Sequence, residues 1–163
     1  MSGLAVFAFA GTLPTPAFAN KWPEASQFDV YYYQRHLPGK LDTNIEQLKN
    51  LIQGKLGELP PDDLKADYLW RLCRAKIRHA EKLEKRSDKL AEYDSAKGDC
   101  EKSVALSSQT ANSHFWLGVA IGRWGETKGL LKALFIIKPL KKEMAEVIRL
   151  DPSHGGAHNV LGE

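Results

Sequence analysis

Hydrophobic residues in the first half of the chain recur at helical spacing. From Ile45 to Leu56, aliphatic side chains stand at positions i, i+3, i+7 and i+11, which places them on one face of a helix. Asp42 or Thr43 is positioned to cap the start of this helix, and Gly57 stands near its end. The pattern therefore predicts an amphipathic helix in this region.

The same spacing resumes after a proline break at Pro60-Pro61. The two aspartates that follow suit the first turn of a helix, because acidic side chains interact favourably with the exposed N–H groups there. A helix is predicted from Asp62 past Ala80 into the charged stretch 81–89. A further helix is predicted to carry the apolar positions between Tyr93 and Leu106.

The second half of the chain continues this pattern. Breaks at 110–112 and 125–129 bound a predicted helix over 113–124, and a last long helix reaches Leu150. Pro139 is expected to kink that helix or split it in two. Strand signals are weak, because β-branched runs and Asn-Gly or Asp-Gly turns are lacking. The chain is predicted to be all-α, with antiparallel helix pairs joined by short turns.

A motif recurs within the chain. His114-x-x-Leu117-Gly118 returns 44 residues later as His158-x-x-Leu161-Gly162, and Leu106-Ser107-Ser108 lies in register with Leu150-Asp151-Pro152. Leu69-x-x-Leu72-Cys73 stands 45 residues before the first copy. In each, the small residue lets a neighbouring helix approach closely. Stacked helix-turn-helix repeats explain this pattern, and two similar helix starts in a simple bundle are the alternative.

These repeats resemble the tetratricopeptide pattern. Together with Leu69-Trp70-Arg71-Leu72-Cys73-Arg74-Ala75 and His114-Phe115-Trp116-Leu117, they are similar to the regulator of microtubule dynamics family. The resemblance covers 62–163 and implies helix pairs stacked as a right-handed, tetratricopeptide-like solenoid. Two departures are Ser108, where a proline is usual, and cysteines at positions 73 and 100. We interpret the chain as an exported bacterial member, to which microtubule binding does not carry over.

The first twenty residues resemble a secretory signal peptide. A short apolar run from Leu4 to Ala10 is followed by prolines and by Ala17-Phe18-Ala19, although no basic residue precedes the run. Cleavage after Ala19 would make the protein periplasmic or secreted. The predicted organisation is a signal peptide over 1–19, an N-terminal helix pair over 20–61 (a degenerate repeat or a cap), and repeats over 62–163. Because the second motif ends at Gly162, we expect C-terminal truncation.

Composition narrows the functional classes. The 163 residues are 43% hydrophobic and 26% charged, with a net charge of +3. These values exclude a disordered tail, a collagen-like fibre and a disulfide-dense miniprotein. The mild basic excess does not indicate a nucleic-acid partner.

Catalytic and metal-binding patterns are poorly supported. The glycines around Gly122 have the wrong spacing for a phosphate loop. His154 and His158 have helical ligand spacing but no acidic or cysteine partner nearby. Glu143 and Glu146 are predicted to lie on a solvated helix face with Lys141 and Lys142. We therefore predict a non-enzyme that needs no metal or cofactor.

The two cysteines leave two alternatives open. Cys73 and Cys100 lie about 14 and 12 residues from a turn expected near Ser87-Asp88, so antiparallel helices would bring them to similar heights. A disulfide is then geometrically possible and would persist in an oxidising compartment. The alternative is two small apolar core residues.

Binding to a protein or peptide is the predicted function. In tetratricopeptide-like repeats the first helix of each pair lines a concave groove. That resemblance implies the groove candidates Trp70, Arg74, Arg78, Phe115, Val119, Arg123 and Asn159. Arginines with exposed aromatics suit partners with acidic or carboxylate groups, whereas packing between helices would explain each residue singly. The alternatives are a membrane-surface or organelle adaptor held by an uncleaved N-terminus, and the binding portion of a longer multidomain protein.

Overall fold

The computed structural model describes residues 25, 27–54 and 60–162, without the side chains of 130–133. The predicted signal peptide lies outside these residues. Within them the chain is all-α, as predicted. The helices are α1 (Gln27–Tyr33), α2 (Lys40–Ile52), α3 (Asp62–Lys82), α4 (Arg86–Leu106), α5 (Ala111–Lys128), α6 (Leu130–Leu150) and α7 (Gly155–Leu161).

Consecutive helices pack as antiparallel pairs. The largest contacts join α3 to α4 and α5 to α6, while α4 and α3 also pack on α5. The first helix, α1, lies against both α2 and α3. This arrangement brings α1, α3 and α5 together although they are far apart in sequence.

Some helix ends differ from the predictions. Neither Asp42 nor Thr43 caps α2, because the helix begins earlier, after Gly39 with its φ of 70°. The Thr43 hydroxyl instead donates a hydrogen bond to the Gly39 carbonyl at 2.8 Å. Leu56 and Gly57 lie outside the described residues. The start of α3 after the proline pair is as predicted.

The turn between α3 and α4 comes earlier than expected. It spans 83–85, so the predicted turn residues Ser87-Asp88 lie within α4. This difference follows from Leu83, whose backbone is extended and ends α3. The charged stretch 81–89 is therefore divided between two helices.

The glycines of α5 serve close packing rather than a turn at Gly125. The helix continues to Lys128 and ends at Gly129, which has a φ of 105°. A β-carbon at Gly125 would stand 2.8 Å from Ile136 Cγ1 on α6. At Gly118 it would clash with the Met144 methyl group. At position 118 the small residue thus lets the paired helix approach, as the motif predicted. Gly162 of the second copy instead ends α7 with a φ of 79° and open space around it, so the prediction is wrong there.

Pro139 does not split α6, which runs without interruption from Leu130 to Leu150. The proline is exposed, so the carbonyl that loses its N–H partner can be hydrated at the helix surface. Among the described residues, no helix is both long and apolar enough to cross a bilayer.

The core has three connected parts. The central part surrounds Cys73 and Cys100 and includes Trp70, Ile77, Tyr93 and Trp116. A second part joins α1, α2 and α3 through Phe28, Leu48 and Tyr68, among others. A third joins α5, α6 and α7 through Met144, Val147 and Ala157. The first two parts meet along α3, whose middle section is buried on every side.

Candidate functional site

Six of the predicted groove residues form one surface, here called the α3–α5 face. Its members are Trp70, Arg74 and Arg78 of α3 and Phe115, Val119 and Arg123 of α5. On each helix they recur every four residues, which keeps them on one side. Asn159 lies on a third helix, α7, where it is exposed.

Two side chains connect the three arginines of the α3–α5 face. Tyr32 of α1 contacts both Arg74 and Arg78. Glu81 accepts a hydrogen bond from Arg78 at 2.8 Å and lies 3.5 Å from Arg123. The three predicted arginines therefore form a continuous row, and their side chains already contact Tyr32 and Glu81 of this chain.

Asp29 of α1 binds the arginines of α3. One carboxylate oxygen accepts a hydrogen bond from Arg74 Nη2 at 2.7 Å, and the other accepts one from Arg71 Nη2 at 2.9 Å. Arg71 also pairs with Asp67 on its own helix. Burial alone would raise the pKa of Asp29, but the hydrogen bond and charge of Arg71, together with Arg74, hold that pKa below its ordinary value.

Tyr32 supplies the second contact of α1 with this surface. Its ring lies 3.9 Å from the guanidinium carbon of Arg74, a stacking that favours the cation. Its hydroxyl accepts a hydrogen bond from Arg78 Nε at 3.2 Å. The ring also meets Trp116 edge to face, with centroids 6.2 Å apart. One tyrosine thus bridges α3 and α5.

The expectation of exposed aromatics is wrong for Trp70. This side chain is only 4% exposed, and its indole N–H donates to the Asp67 carboxylate at 2.8 Å. Arg74 is also buried, at 6% exposed. The physical reason is that α1 lies over this part of α3, which helical spacing within α3 could not reveal. Arg71, absent from the predicted set, is buried by the same contact.

The half of the α3–α5 face on α5 is more open. Arg123 is exposed, Val119 and Phe115 are half-buried, and Arg78 is half-buried beside them. The Phe115 ring packs against Trp116 and against His154 of the α6–α7 turn, with centroids 5.4 and 4.6 Å away. An incoming side chain can therefore reach Arg123 and Val119 without moving α1.

The histidine of the first motif links the start of α5 to α6 and to the preceding turn. His114 is buried, and its Nδ1 and Nε2 lie 2.7 Å from a Glu143 carboxylate oxygen and 3.0 Å from the Ser108 carbonyl oxygen. The hydrogen bond to Glu143 raises the pKa of His114 although burial opposes it. In the second copy of the motif, His158 Nε2 lies 2.9 Å from the Pro152 carbonyl oxygen. In both copies of the motif, the histidine side chain therefore contacts a backbone carbonyl of the preceding turn.

Glu143 does not lie on a solvated face as predicted. Its side chain is 12% exposed and paired with His114, whereas Lys141 and Lys142 are exposed. The available signal was spacing: Glu143 follows Leu140 by three residues and precedes Val147 by four, and both turn inward. The buried ion pair is structural, linking α5 to α6.

A disulfide joins Cys73 of α3 to Cys100 of α4, with their α-carbons 5.6 Å apart. Both residues are fully buried in the central core. The bond links α3 to α4, the two helices with the most extensive contact. It therefore holds the helix that carries the arginines Arg74 and Arg78.

A cavity of about 660 Å³ lies between α2, α3 and α4 and was not predicted. Leu69, Leu72 and Ile52 contribute apolar walls, and several lysines stand around it. The buried lysine, Lys76, is already paired with Asp99 at 2.5 Å and Ser95 at 2.8 Å. The described residues contain no group of three acidic, histidine or cysteine side chains suited to hold a metal ion.

Comparisons with known proteins confirm the family resemblance of the sequence. Over 96 residues the chain is 30% identical to Regulator of microtubule dynamics protein 3 from Rattus norvegicus and from Bos taurus, and 28% identical to that from Mus musculus. These matches cover 59% of the chain, which spans about one fifth of each relative's length (20%). The family described as Regulator of microtubule dynamics protein 1-3 matches residues 40–163, which include α2 through α7. The chain therefore belongs to the regulator of microtubule dynamics family.

Proposed function

We propose that this chain is a non-catalytic helical-repeat scaffold that binds a segment of another protein along the α3–α5 face. The pairs would stack as a tetratricopeptide-like right-handed solenoid, with this face on the concave side. The observation that carries the proposal is the docking of α1. A short helix is held there by an acidic residue, Asp29, and an aromatic residue, Tyr32.

The chemistry of the face supports this function. Guanidinium groups bind carboxylates directionally and stack on aromatic rings, and Arg74 does both with α1. On the open half, Arg123 offers a charge beside the apolar surface of Val119 and Phe115. Buried aromatic and arginine anchors surrounded by partly exposed groups are typical of protein interfaces. A partner would gain charge registration from the arginines and apolar contact from the rings.

The proposal concerns the helical domain alone. The relatives' name refers to microtubule dynamics, but the match covers only one fifth of those proteins. A catalytic role has no support among the described residues of this surface. Arg74 and Arg78 of the face and Asp29 of α1 carry shifted pKa values, and all three are engaged in ion pairs. The proposed partner is defined by chemistry, as a protein segment with acidic and aromatic side chains.

We also propose export through the segment 1–19. The buried disulfide supports an oxidising compartment, because such bonds are rare where glutathione keeps thiols reduced. Mass spectrometry of the N-terminus tests this: a mature chain that starts at Asn20 would support export. A retained Met1–Ala19 segment would instead support the membrane-anchored adaptor.

Crosslinking in the native cell, followed by partner identification, tests the binding proposal. The informative variants are Arg123→Glu and Val119→Asp, because these side chains lie on the open half. Lys141→Glu is the matched control, since it reverses one exposed charge on α6, a helix that contributes no residue to this face. A partner lost in both variants and kept in the control would support the proposal. A partner kept by all three would contradict it.

A further inference from the structure

We propose that α1 is an internal ligand of the α3–α5 face, and that a partner segment with the sequence pattern Phe-Asp-x-x-Tyr, or a close chemical equivalent, displaces it. The inference rests on the proposed function and names the partner's chemistry. Phe28, Asp29 and Tyr32 supply this pattern in α1 itself.

The three residues share one side of α1. Residues one and four positions apart fall within about a third of a helical turn, so all three side chains reach α3, and Tyr32 also reaches Trp116 of α5. Phe28 is 1% exposed and packs against Tyr68, with ring centroids 5.7 Å apart. The other side of the helix faces water. Val30 is 53% exposed and Tyr33 is 71% exposed.

Each of the three side chains meets a different feature. Phe28 occupies an apolar site in the second part of the core. Asp29 neutralises the buried guanidinium groups of Arg71 and Arg74. Tyr32 bridges Arg74, Arg78 and Trp116. The surface under α1, which joins the α3–α5 face to the apolar site of Phe28, therefore accepts an apolar ring, a carboxylate and a phenol at fixed helical spacing. Another helix can carry the same three groups.

The site is not fully satisfied by α1. Arg74 is buried, yet its Nε has no hydrogen-bond partner in the described structure. Its Nη2 binds Asp29 at 2.7 Å and reaches the Phe28 carbonyl only at 3.4 Å. A carboxylate placed side-on would bind Nε and Nη2 together, and such bidentate pairs are stronger. A partner can thus satisfy a donor that α1 leaves unpaired.

The length of α1 also favours exchange. It has seven residues, and helices shorter than about 12 residues are marginal by themselves. Its position therefore depends on the contacts of Phe28, Asp29 and Tyr32. The short connection to α2 keeps α1 at an effective concentration in the millimolar range. Only a segment that matches the pattern would compete with it.

A peptide supplied separately tests this inference. The probe is a fluorescently labelled, end-capped peptide with the sequence of residues 27–37, and its binding is followed by fluorescence anisotropy. The receptors are the full 163-residue chain and its Asp29→Asn/Tyr32→Ala variant, in which α1 is weakened. We expect the variant to bind the peptide at least about tenfold more tightly than the parent chain, because α1 no longer competes.

Matched peptides show whether recognition follows the pattern. Asp29→Asn/Tyr32→Ala in the peptide should abolish binding to the weakened receptor. Val30→Ala/Tyr33→Ala, which changes the same number of residues on the exposed side, should leave the affinity within about twofold, as is usual for surface positions. Loss of binding with both peptides, or retention with both, would overturn the proposed pattern.

The receptor's folding is checked by circular dichroism. If the double variant does not unfold cooperatively, Tyr32→Ala alone serves as the receptor, since it retains the Asp29 ion pairs. No peptide binding to a folded receptor, or equal binding to parent and variant, would show that α1 is a permanent part of the fold. That result would leave the Arg123 and Val119 test of the proposed function untouched.

Discussion

The disulfide between Cys73 and Cys100 makes a quantitative prediction about stability. The bond closes a loop with a sequence separation of 27 residues. Restricting the unfolded chain by a loop of this size is worth about 3.5 kcal/mol at 25 °C in the chain-entropy account. In the folded state the packing of α3 on α4 already holds the two α-carbons 5.6 Å apart. The stabilisation should therefore come mainly from the unfolded state.

Urea unfolding of the oxidised and the reduced chain measures this difference. Because both cysteines are fully buried, the protein is reduced while unfolded and then refolded with reductant present. Circular dichroism and tryptophan fluorescence follow the transition. For a slope of about 2 kcal/mol per M of urea, the midpoint should fall by about 1.7 M on reduction.

A variant without the bond provides the control. Cys73→Ala/Cys100→Ala should have the same urea midpoint with and without reductant, which separates loss of the bond from any other effect of the reagent. Both fully buried sulfur atoms are lost in this variant, so its packing should also be weaker. A difference below about 1 kcal/mol between the oxidised and reduced parent chain would refute the loop-entropy reasoning.

Three further predictions concern pH, charge and packing. Since the pKa of His114 is raised in the fold, its contribution to stability is fully present below the unfolded value of 6.5 and is lost as pH rises through the higher folded value. The free energy of unfolding, measured by urea titrations at pH 6 to 9, should therefore decline less steeply with pH in His114→Gln than in the parent chain. Equal slopes would contradict the assignment. Asp29→Asn leaves two buried guanidinium groups without full charge compensation, so the free energy of unfolding should fall by about 2 kcal/mol. The loss is smaller than for a wholly buried pair because the Asp29 side chain is 29% exposed. An unchanged urea midpoint would show that this ion pair is not stabilising. Gly125→Ala should destabilise the protein by about 1–3 kcal/mol, because the added methyl group contacts Ile136. Gly98→Ala, with open space around it, should stabilise the protein by up to about 1 kcal/mol. Melting temperatures that shift in the same direction for both variants would contradict the close approach of α5 and α6.

Local sequence information was sufficient for most helices but not for their ends. Apolar spacing identified α2 through α6 because side chains three and four residues apart share a helical face. Helix ends depend on backbone contacts that spacing does not encode. The end of α5 at Gly129 rather than Gly125 is one example: a glycine looks like a turn signal, yet Gly125 serves the approach of Ile136. Pro139 similarly stays within α6 because it faces solvent.

The motif with His114 was visible in the sequence, but its physical role was not. The repeat showed only that two helix starts of the same chain carry a histidine at equivalent positions. The hydrogen bonds of the imidazole to Ser108 and Glu143 appear only when α5 and α6 are packed together. The spacing of Glu143 from Leu140 and Val147 implied its inward position. The adjacent Lys141 and Lys142 instead favoured the prediction of a solvated face.

The sequence by itself determined the all-α class, the repeat and the geometric possibility of a bond between Cys73 and Cys100. Each follows from periodicity or from positions along two adjacent helices. Only the tertiary structure decided that α1 covers half of the α3–α5 face. Asp29 and Arg71 are 42 residues apart, and Tyr32 and Arg78 are 46 apart. Such pairings arise from the packing of α1 across α3 and α5, because helical periodicity orders side chains within a helix and leaves open which distant segment will lie against them.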